Sequence, residues 1–165
     1  MTFEFFNVKQ EFQHDKILIE TSAVREARRL KLKQSREATG KSPHEIAALV
    51  GISAPTYYDL ENCDGDLNMV ISLGELSKLS SVLGISTRFI FDDKTEGQPI
   101  LPEPLCAKIK SYLDAKKIDI ANFEDRVGFT IEPSLHDPAK ILDWNIDCLR
   151  FVCEEIGANW RLALL

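Results

Sequence analysis

The sequence predicts a mainly α-helical fold, and three features lead to this prediction. Residues that can cap a helix stand before apolar residues spaced three or four apart, glycines follow these segments, and prolines fall in first helical turns. Apolar residues make up 44% of the 165 residues, a normal fraction for a protein with a buried core. The first 20 residues, with FEFF and KILIE, are expected to supply one or two short strands or an arm.

A first helix is predicted from Ser22 to about Thr39. Thr21 can cap its start, and Gly40 can end it in a left-handed conformation that glycine adopts without strain. The apolar side of this helix is expected to carry Val24, Ala27 and Leu30, together with the alkyl chain of Lys31.

Two shorter helices are predicted to follow. Ser42 can cap the segment Pro43–Val50, where Glu45 holds the third helical position, as in a capping box, and Gly51 ends the helix. Ser53 then caps a third helix, whose proline is tolerated because it lies in the first turn.

The remaining chain predicts a longer helix, a linker and a second domain. An amphipathic segment runs from Ile71 to Leu83, and Thr87–Phe91 is expected to be a short extended piece. Three of the seven prolines fall in DDKTEGQPILPEP, which is typical of a linker. We therefore expect an arm at 1–21, a helical domain at 22–91, a linker at 92–104 and a second helical domain at 105–165.

The second half repeats the pattern of the first. Segment 117–130 aligns with 40–53, and after a gap of four residues segment 144–159 aligns with 71–86. Unrelated helical segments that end in glycine could align in this way, but two separate blocks keep nearly the same offset. This favours a degenerate copy, in which two prolines interrupt the sequence where the counterpart of the third helix belongs.

Charge is separated along the chain, whose net charge is −6. Between Ser22 and Lys41 there are seven basic residues and two acidic ones, whereas the stretch from Ser42 to Ser77 contains six acidic residues and no lysine or arginine. The chain as a whole therefore does not have the charge expected of a protein that binds polyanions.

No motif supports catalysis. The sequence has no phosphate-binding glycine loop, and its three histidines lie in unrelated segments. Four cysteines without a CxxC pair predict neither a zinc site nor a disulfide framework. No apolar run approaches the roughly 20 residues that cross a bilayer. We expect a cytoplasmic protein with no enzyme activity, no metal, no cofactor and no membrane partner.

The segment from Leu32 to Ser86 resembles the Xre family of lambda-repressor-like helix-turn-helix domains. Four blocks carry the resemblance: LKQSREATGKS, EIAALVGIS, YYDLE and LSKLSSVLGIS. With the adjoining residues, the domain is expected to span about 22–90. The resemblance implies a five-helix bundle and a transcriptional regulator that binds double-stranded DNA.

The resemblance also implies a site. It places Ser42 over phosphates and the third helix toward the major groove. An ion pair between Arg36 and Glu61 would tie the first helix to the end of the third, the alternative being two independent surface charges. The candidate DNA-binding residues are Lys41, Ser42, His44, Ser53, Ala54, Thr56, Tyr58, Asp59 and Asn62.

These positions contain little positive charge. Lys41 is the main cation of the expected docking face, Pro43 offers no hydrogen-bond donor, and Asp59 repels phosphates. A typical site uses roughly six to ten cationic contacts, so DNA affinity is expected to be weak or to depend on a partner. Four basic residues of the first helix form either a solvated face or an accessory patch for phosphates or an acidic partner: Arg25, Arg28, Arg29 and Lys33.

Two functions follow from these observations. The first is a DNA-binding regulator, expected to be a homodimer because a second subunit doubles the cationic contacts. The second is an antitoxin-like or immunity-like protein-binding module, whose acidic surface would mask a basic protein partner. Segment 42–77 and the acidic second copy favour the second function.

Overall fold

The computed structural model describes residues 21–63, 67–91, 94 and 96–164. Within these ranges the chain forms helices and no β-strand, which confirms the all-α class. The N-terminal arm, for which short strands were expected, lies outside the described residues. None of the described helices is long and apolar enough to cross a membrane.

The first half is a bundle in which α1 packs on α3, α5 and α6, and α2 packs on α3 and α5. The predicted bounds of the first two helices and the capped start of the third are confirmed. The helices described in this half are α1 (Ser22–Thr39), α2 (Pro43–Val50), α3 (Ala54–Asn62), α4 (Leu67–Val70), α5 (Leu73–Leu83) and α6 (Thr87–Ile90).

Local hydrogen bonds fix the turn between α2 and α3. The Ser42 hydroxyl accepts from the Glu45 amide at 3.3 Å, and the Glu45 carboxylate accepts from the Ser42 amide at 2.8 Å, which completes a capping box. Gly51 ends α2 at a φ of 93°. The Ser53 hydroxyl accepts from the Thr56 amide at 3.1 Å and so begins α3.

The buried side of α1 differs from the prediction, which was wrong for this helix. Val24, Ala27 and Leu30 are exposed, whereas Arg28 and Leu32 are buried. The two buried residues are four apart and therefore share one face of the helix. Helix α1 contacts α3, α5 and α6, so its buried face is the one that packs against these helices.

The segment Thr87–Phe91 was expected to be extended, and this prediction was wrong. It contains the helical turn α6, which begins where the Ser86 hydroxyl accepts from the Phe89 amide at 3.1 Å. β-branched and aromatic residues favour strands on average, but the cap and the burial of Ile90 in the core decide the conformation here.

The second half is also helical. Helix α7 begins at Pro102, inside the segment expected to be a linker, because proline suits the first turn of a helix. A short helix, α9, occupies the region that was expected to lack one. The elements are α7 (Pro102–Lys116), α8 (Ile120–Val127), α9 (Glu132–His136), a 3₁₀ segment (Pro138–Asp143), α10 (Ile146–Glu155) and a 3₁₀ turn (Trp160–Ala163).

The two halves share one hydrophobic core. A single cluster of buried side chains includes Leu76 and Leu79 of α5, Ile109 of α7 and Leu149 of α10. Contacts between α5 and the 3₁₀ segment and between α4 and α10 join the halves. The surface formed by α2 and α3 therefore lies on one side of a continuous bundle.

Candidate functional site

A shallow groove of about 440 Å³ lies between the start of α2 and the outer side of α3. It brings together four of the nine candidate residues, together with two prolines. The lining residues are Pro43, His44, Ala54, Pro55, Tyr58 and Asp59.

Helix α3 presents one side to the core and the other to solvent. Tyr57, Leu60 and Glu61 are buried, whereas Tyr58 and Asp59 are exposed. Since the buried positions recur three or four residues apart, the outward positions also form one continuous stripe. A partner molecule could therefore reach α3 along this stripe.

Two hydroxyl groups meet at the start of α3. The oxygens of Ser53 and Thr56 are 2.7 Å apart, so one hydroxyl donates to the other. The Ser53 oxygen also accepts from the amide of Thr56. The pair keeps capacity to donate or accept one further hydrogen bond toward a ligand.

The other three candidates are held by local bonds. The Ser42 hydroxyl donates to the Glu45 carboxylate at 2.8 Å, in addition to capping α2. The Lys41 carbonyl accepts from Arg36 at 3.1 Å, which fixes the backbone before α2. The Asn62 side-chain amide donates to the Tyr58 carbonyl at 3.1 Å, near the end of α3.

Carboxylates dominate the electrostatics of this face. Hydrogen bonds from the backbone and the hydroxyl of Ser42 lower the pKa of Glu45, so that its charge persists in mild acid. Asp59 lines the groove, and neither lysine nor arginine is among the lining residues. The groove is therefore an apolar surface with an acidic margin.

The structure contains the ion pair between Arg36 and Glu61. Arg36 Nε lies 2.7 Å from Glu61 Oε1, and Arg36 Nη2 lies 3.0 Å from Glu61 Oε2. The Glu61 side chain is only 1% exposed. Burial, followed by this carboxylate, raises the pKa of the neighbouring Tyr57 hydroxyl, which therefore stays neutral. The pair fixes α3 relative to α1.

One residue of the expected basic patch on α1, Arg28, does not face solvent. Arg28 is 6% exposed, and its guanidinium carbon lies 4.5 Å from the centre of the Phe91 ring. It is therefore a buried residue and not part of a solvent-facing patch. Arg25 and Arg29 are half-buried, and Lys33 is exposed.

The aromatic residues of α6 were not predicted to take part in this region. Lys31 Nζ donates to the Phe89 carbonyl at 3.0 Å and lies 5.0 Å from the centre of the Phe89 ring. The only signal in the sequence is the pair of aromatic residues in RFIF at 88–91. These residues are far from the basic helix α1 in the chain, and only the fold brings their rings to it. Both contacts hold the Lys31 ammonium group against α6 and so limit its reach toward a polyanion.

The helical bundle that carries the groove matches a known protein family. Residues 32–90 match a family model described as helix-turn-helix. These residues form a helix-turn-helix domain. The resemblance predicted for the segment around 22–90 is confirmed, although the match begins inside α1. The family is one of DNA-binding regulators.

The helix-turn-helix match does not extend into the second half. Searches of curated proteins and of solved structures returned no significant match. Within the described residues, no group of three or more His, Cys, Asp or Glu side chains is placed to hold a metal ion.

Proposed function

We propose that the protein is an Xre-type, DNA-binding transcriptional regulator that acts in the cytoplasm and binds double-stranded DNA weakly or with the help of a partner. The observation that carries the proposal is the outward stripe of α3 on a helix-turn-helix domain. An α-helix fits the major groove of B-form DNA, where each base pair presents a distinct set of donors and acceptors.

The exposed side chains of α3 suggest how bases would be read. The Asp59 carboxylate can accept a hydrogen bond from the amino group of cytosine, and the Thr56 hydroxyl can donate or accept. Ala54 can contact a thymine methyl group. The stripe contains no arginine or lysine, the residue types that most often recognise guanine.

The predicted weakness of DNA binding follows from the small number of cations that are available to bind phosphate. Arg28, Lys31 and Arg36 each contact a group within the protein, so they have less capacity to bind phosphate. Lys41 stands just before α2, and Lys33 is exposed on α1. Since a typical site uses roughly six to ten cationic contacts, one domain supplies few of them. A homodimer, which would double these contacts, stays a prediction.

A salt titration on a labelled duplex from the upstream region of the gene tests the proposal. We expect binding at low salt with a shallow dependence on salt concentration. Lys41→Ala should reduce the slope of log affinity against log salt by about one, because one phosphate contact is lost. Thr56→Ala should relax the sequence preference and leave the slope unchanged.

Lys108→Ala is the matched control. It removes the same charge from an exposed position of α7, away from the groove, and should leave the slope unchanged. Equal effects of Lys41→Ala and Lys108→Ala would show that binding does not use the α2–α3 face. The absence of binding at low ionic strength would refute the proposal.

A second candidate function is a protein-binding module of the antitoxin or immunity type. The apolar lining of the groove, with Asp59 at its margin, favours a basic partner that inserts an apolar side chain. Asp59→Lys separates the two functions. It should strengthen DNA binding if the groove contacts DNA, but should abolish stoichiometric capture of a basic protein if the groove binds protein. Asp59→Asn is the intermediate control.

A further inference from the structure

Helices α2 and α8 have the same length and the same kind of ends. Each spans eight residues. Ser42 caps α2 and Asp119 caps α8, in both cases by accepting from the third amide of the helix. Gly51 and Gly128 end the two helices in left-handed conformations, with φ of 93° and 83°. The turn geometry of the first half thus recurs in the second.

Helices α5 and α10 correspond in the same way. The Ser72 hydroxyl caps α5 through the Glu75 amide, and the Asn145 side chain caps α10 through the Cys148 amide. Gly84 and Gly157, with φ of 67° and 69°, follow the two helices. In the order of elements, the 3₁₀ segment takes the place of α4.

The contact between the halves is reciprocal. Helix α4 contacts α10, and the 3₁₀ segment contacts α5, so each half offers the same two elements to the other. An antiparallel bridge pairs Ser72 with Asn145, the two equivalent capping residues. Leu73 N donates to Trp144 O at 2.7 Å beside this bridge. Equivalent residues meet each other only near a two-fold axis, as in an isologous dimer.

The contact is also close. A Cβ atom on Gly74 of α5 would lie 3.3 Å from the carbonyl oxygen of Leu142 and 3.6 Å from its Cβ. The absence of a side chain at Gly74 therefore lets α5 approach the backbone of the 3₁₀ segment.

We propose that residues 102–157 occupy the position of a second subunit on the α4–α5 surface, so that one chain is a pseudo-dimer with a single DNA-reading helix. On this surface the second half replaces the second subunit of the homodimer that the sequence predicts. The first part of this proposal rests on the reciprocal contact alone. The second part rests on the proposed function and assigns the DNA target: a single, non-palindromic half-site that α3 contacts.

The second half lacks the features that would let it read a second half-site. Helix α9 has five residues, whereas α3 has nine. The Glu124 carboxylate accepts from the amides of Ile131 and Glu132 at 2.6 and 2.9 Å. These amides at the start of α9 are therefore already bound to an anion and do not face a phosphate.

The counterpart of the groove has changed as well. A depression of about 520 Å³ lies between α7, α8 and α9, and its lining is half aliphatic and half polar, the polar residues being Lys110, Asp114, Asp119 and His136. Ile120 begins α8 where Pro43 begins α2, and the buried Leu135 of α9 also lines the depression, whereas the exposed Tyr58 lines the groove of the first half. These polar residues come from α7, from the cap of α8 and from the end of α9, and not from one exposed helix face like that of α3.

Two engineered cysteine pairs test the pseudo-dimer in the full chain, with Cys63 and Cys148 replaced by serine and alanine. The Cβ distance predicts that Gly74→Cys with Leu142→Cys forms a disulfide within one chain, since native disulfides have Cβ separations of about 3.5–4.5 Å. A non-reducing gel should show a monomer with an internal disulfide. Disulfide-linked dimers, or free thiols after oxidation of the folded protein, would overturn the proposal.

The matched pair is Gly74→Cys with Met69→Cys. If the first half of another chain docked on α5, its Met69 would lie where Leu142 lies in this structure. The two engineered cysteines should therefore link two chains only when the α5 surface is open to another chain. We expect no disulfide-linked dimer. If cysteine at position 74 prevents folding, Ser72→Cys alone gives the same answer, because two copies of residue 72 would meet at the axis of such a dimer. Dimers from either variant would overturn the proposal.

The DNA target is tested with duplexes that carry one or two inverted copies of the sequence selected by the protein. Affinity per half-site should agree within about twofold between them, since one chain contacts one half-site. An affinity at least tenfold higher for the inverted repeat would overturn the single-half-site assignment. If the protein binds no DNA, the proposed function fails while the cysteine experiment still decides the pseudo-dimer.

Discussion

Arg36 and Glu61 form a two-point ion pair that joins α1 to α3 and, through a hydrogen bond from Arg36 to the Lys41 carbonyl, to the turn before α2. The Arg36 side chain is 12% exposed and that of Glu61 only 1%. One guanidinium group thus positions three parts of the helix-turn-helix domain, and α3 depends on it for its orientation.

Arg36→Ala should destabilise the protein by about 3 kcal/mol, because the Glu61 carboxylate would remain buried without its partner. Urea denaturation measures the loss. Arg126→Ala is the matched control, since its pair with Glu155 is far more exposed, at 51% and 30%, and should contribute under about 1 kcal/mol. Similar losses for the two variants would contradict the structural role of the buried pair.

Arg28→Ala should lower stability by about 1–3 kcal/mol, because a buried side chain and its contact with the Phe91 ring are lost. The salt dependence of DNA binding should not change, since Arg28 does not face solvent. Lys33→Ala, at an exposed position of α1, should change stability by under about 0.5 kcal/mol. A flatter salt slope for Arg28→Ala at unchanged stability would show that Arg28 belongs to the basic patch after all.

The capping box of α2 should make stability depend on pH in acid. The pKa of Glu45 is lowered in the folded protein from its ordinary value of 4.5 by hydrogen bonds from Ser42. Its stabilising contribution is therefore fully present above pH 4.5 and is lost as the pH falls through the lowered, folded-state pKa. An NMR titration of Glu45 in the native protein and in Ser42→Ala should show the pKa rising toward 4.5 in the variant.

Ser53→Ala provides the control for this pH dependence. It also removes a helix cap, but the α3 cap has no carboxylate that completes a capping box. Its destabilisation should stay constant across the acidic range, whereas that of Ser42→Ala should shrink as Glu45 becomes protonated. Parallel pH profiles for the two variants would argue against the role of Glu45.

Gly74→Leu should destabilise the protein by about 1–3 kcal/mol, because a side chain at this position collides with the backbone of Leu142 in the other half. Ser81→Leu places the same side chain on an exposed position of α5 and should change stability by under about 0.5 kcal/mol. Thermal denaturation of both variants measures the difference. Equal stability would show that the halves are not in close contact at Gly74.

Much of the candidate site could be predicted from the sequence, because short-range hydrogen bonds define it. The Ser42 and Ser53 caps and the glycine after α2 involve groups within a few residues of each other. The positions of His44, Ala54, Tyr58 and Asp59 follow from these helix bounds, and the structure brings their side chains to one groove.

Other features could not be predicted, because they depend on contacts between distant segments. In the sequence Arg28 is one more cation on a basic helix, and only the packing of the bundle and of Phe91 around it makes it a buried residue. The same applies to α6, where the composition favours a strand. The start of α9 was also missed, although the Glu124 carboxylate that accepts from the amides of Ile131 and Glu132 lies only seven and eight residues away.

By itself, the sequence determined the all-α class, the bounds of the first helices and the helix-turn-helix domain, because capping and hydrophobic periodicity act within a few residues. Only the tertiary structure decided which face of α1 is buried, which cations remain available to a partner, and that Ser72 meets Asn145 between the halves. These outcomes depend on packing and charge between residues far apart in the chain, and no local pattern encodes such pairings.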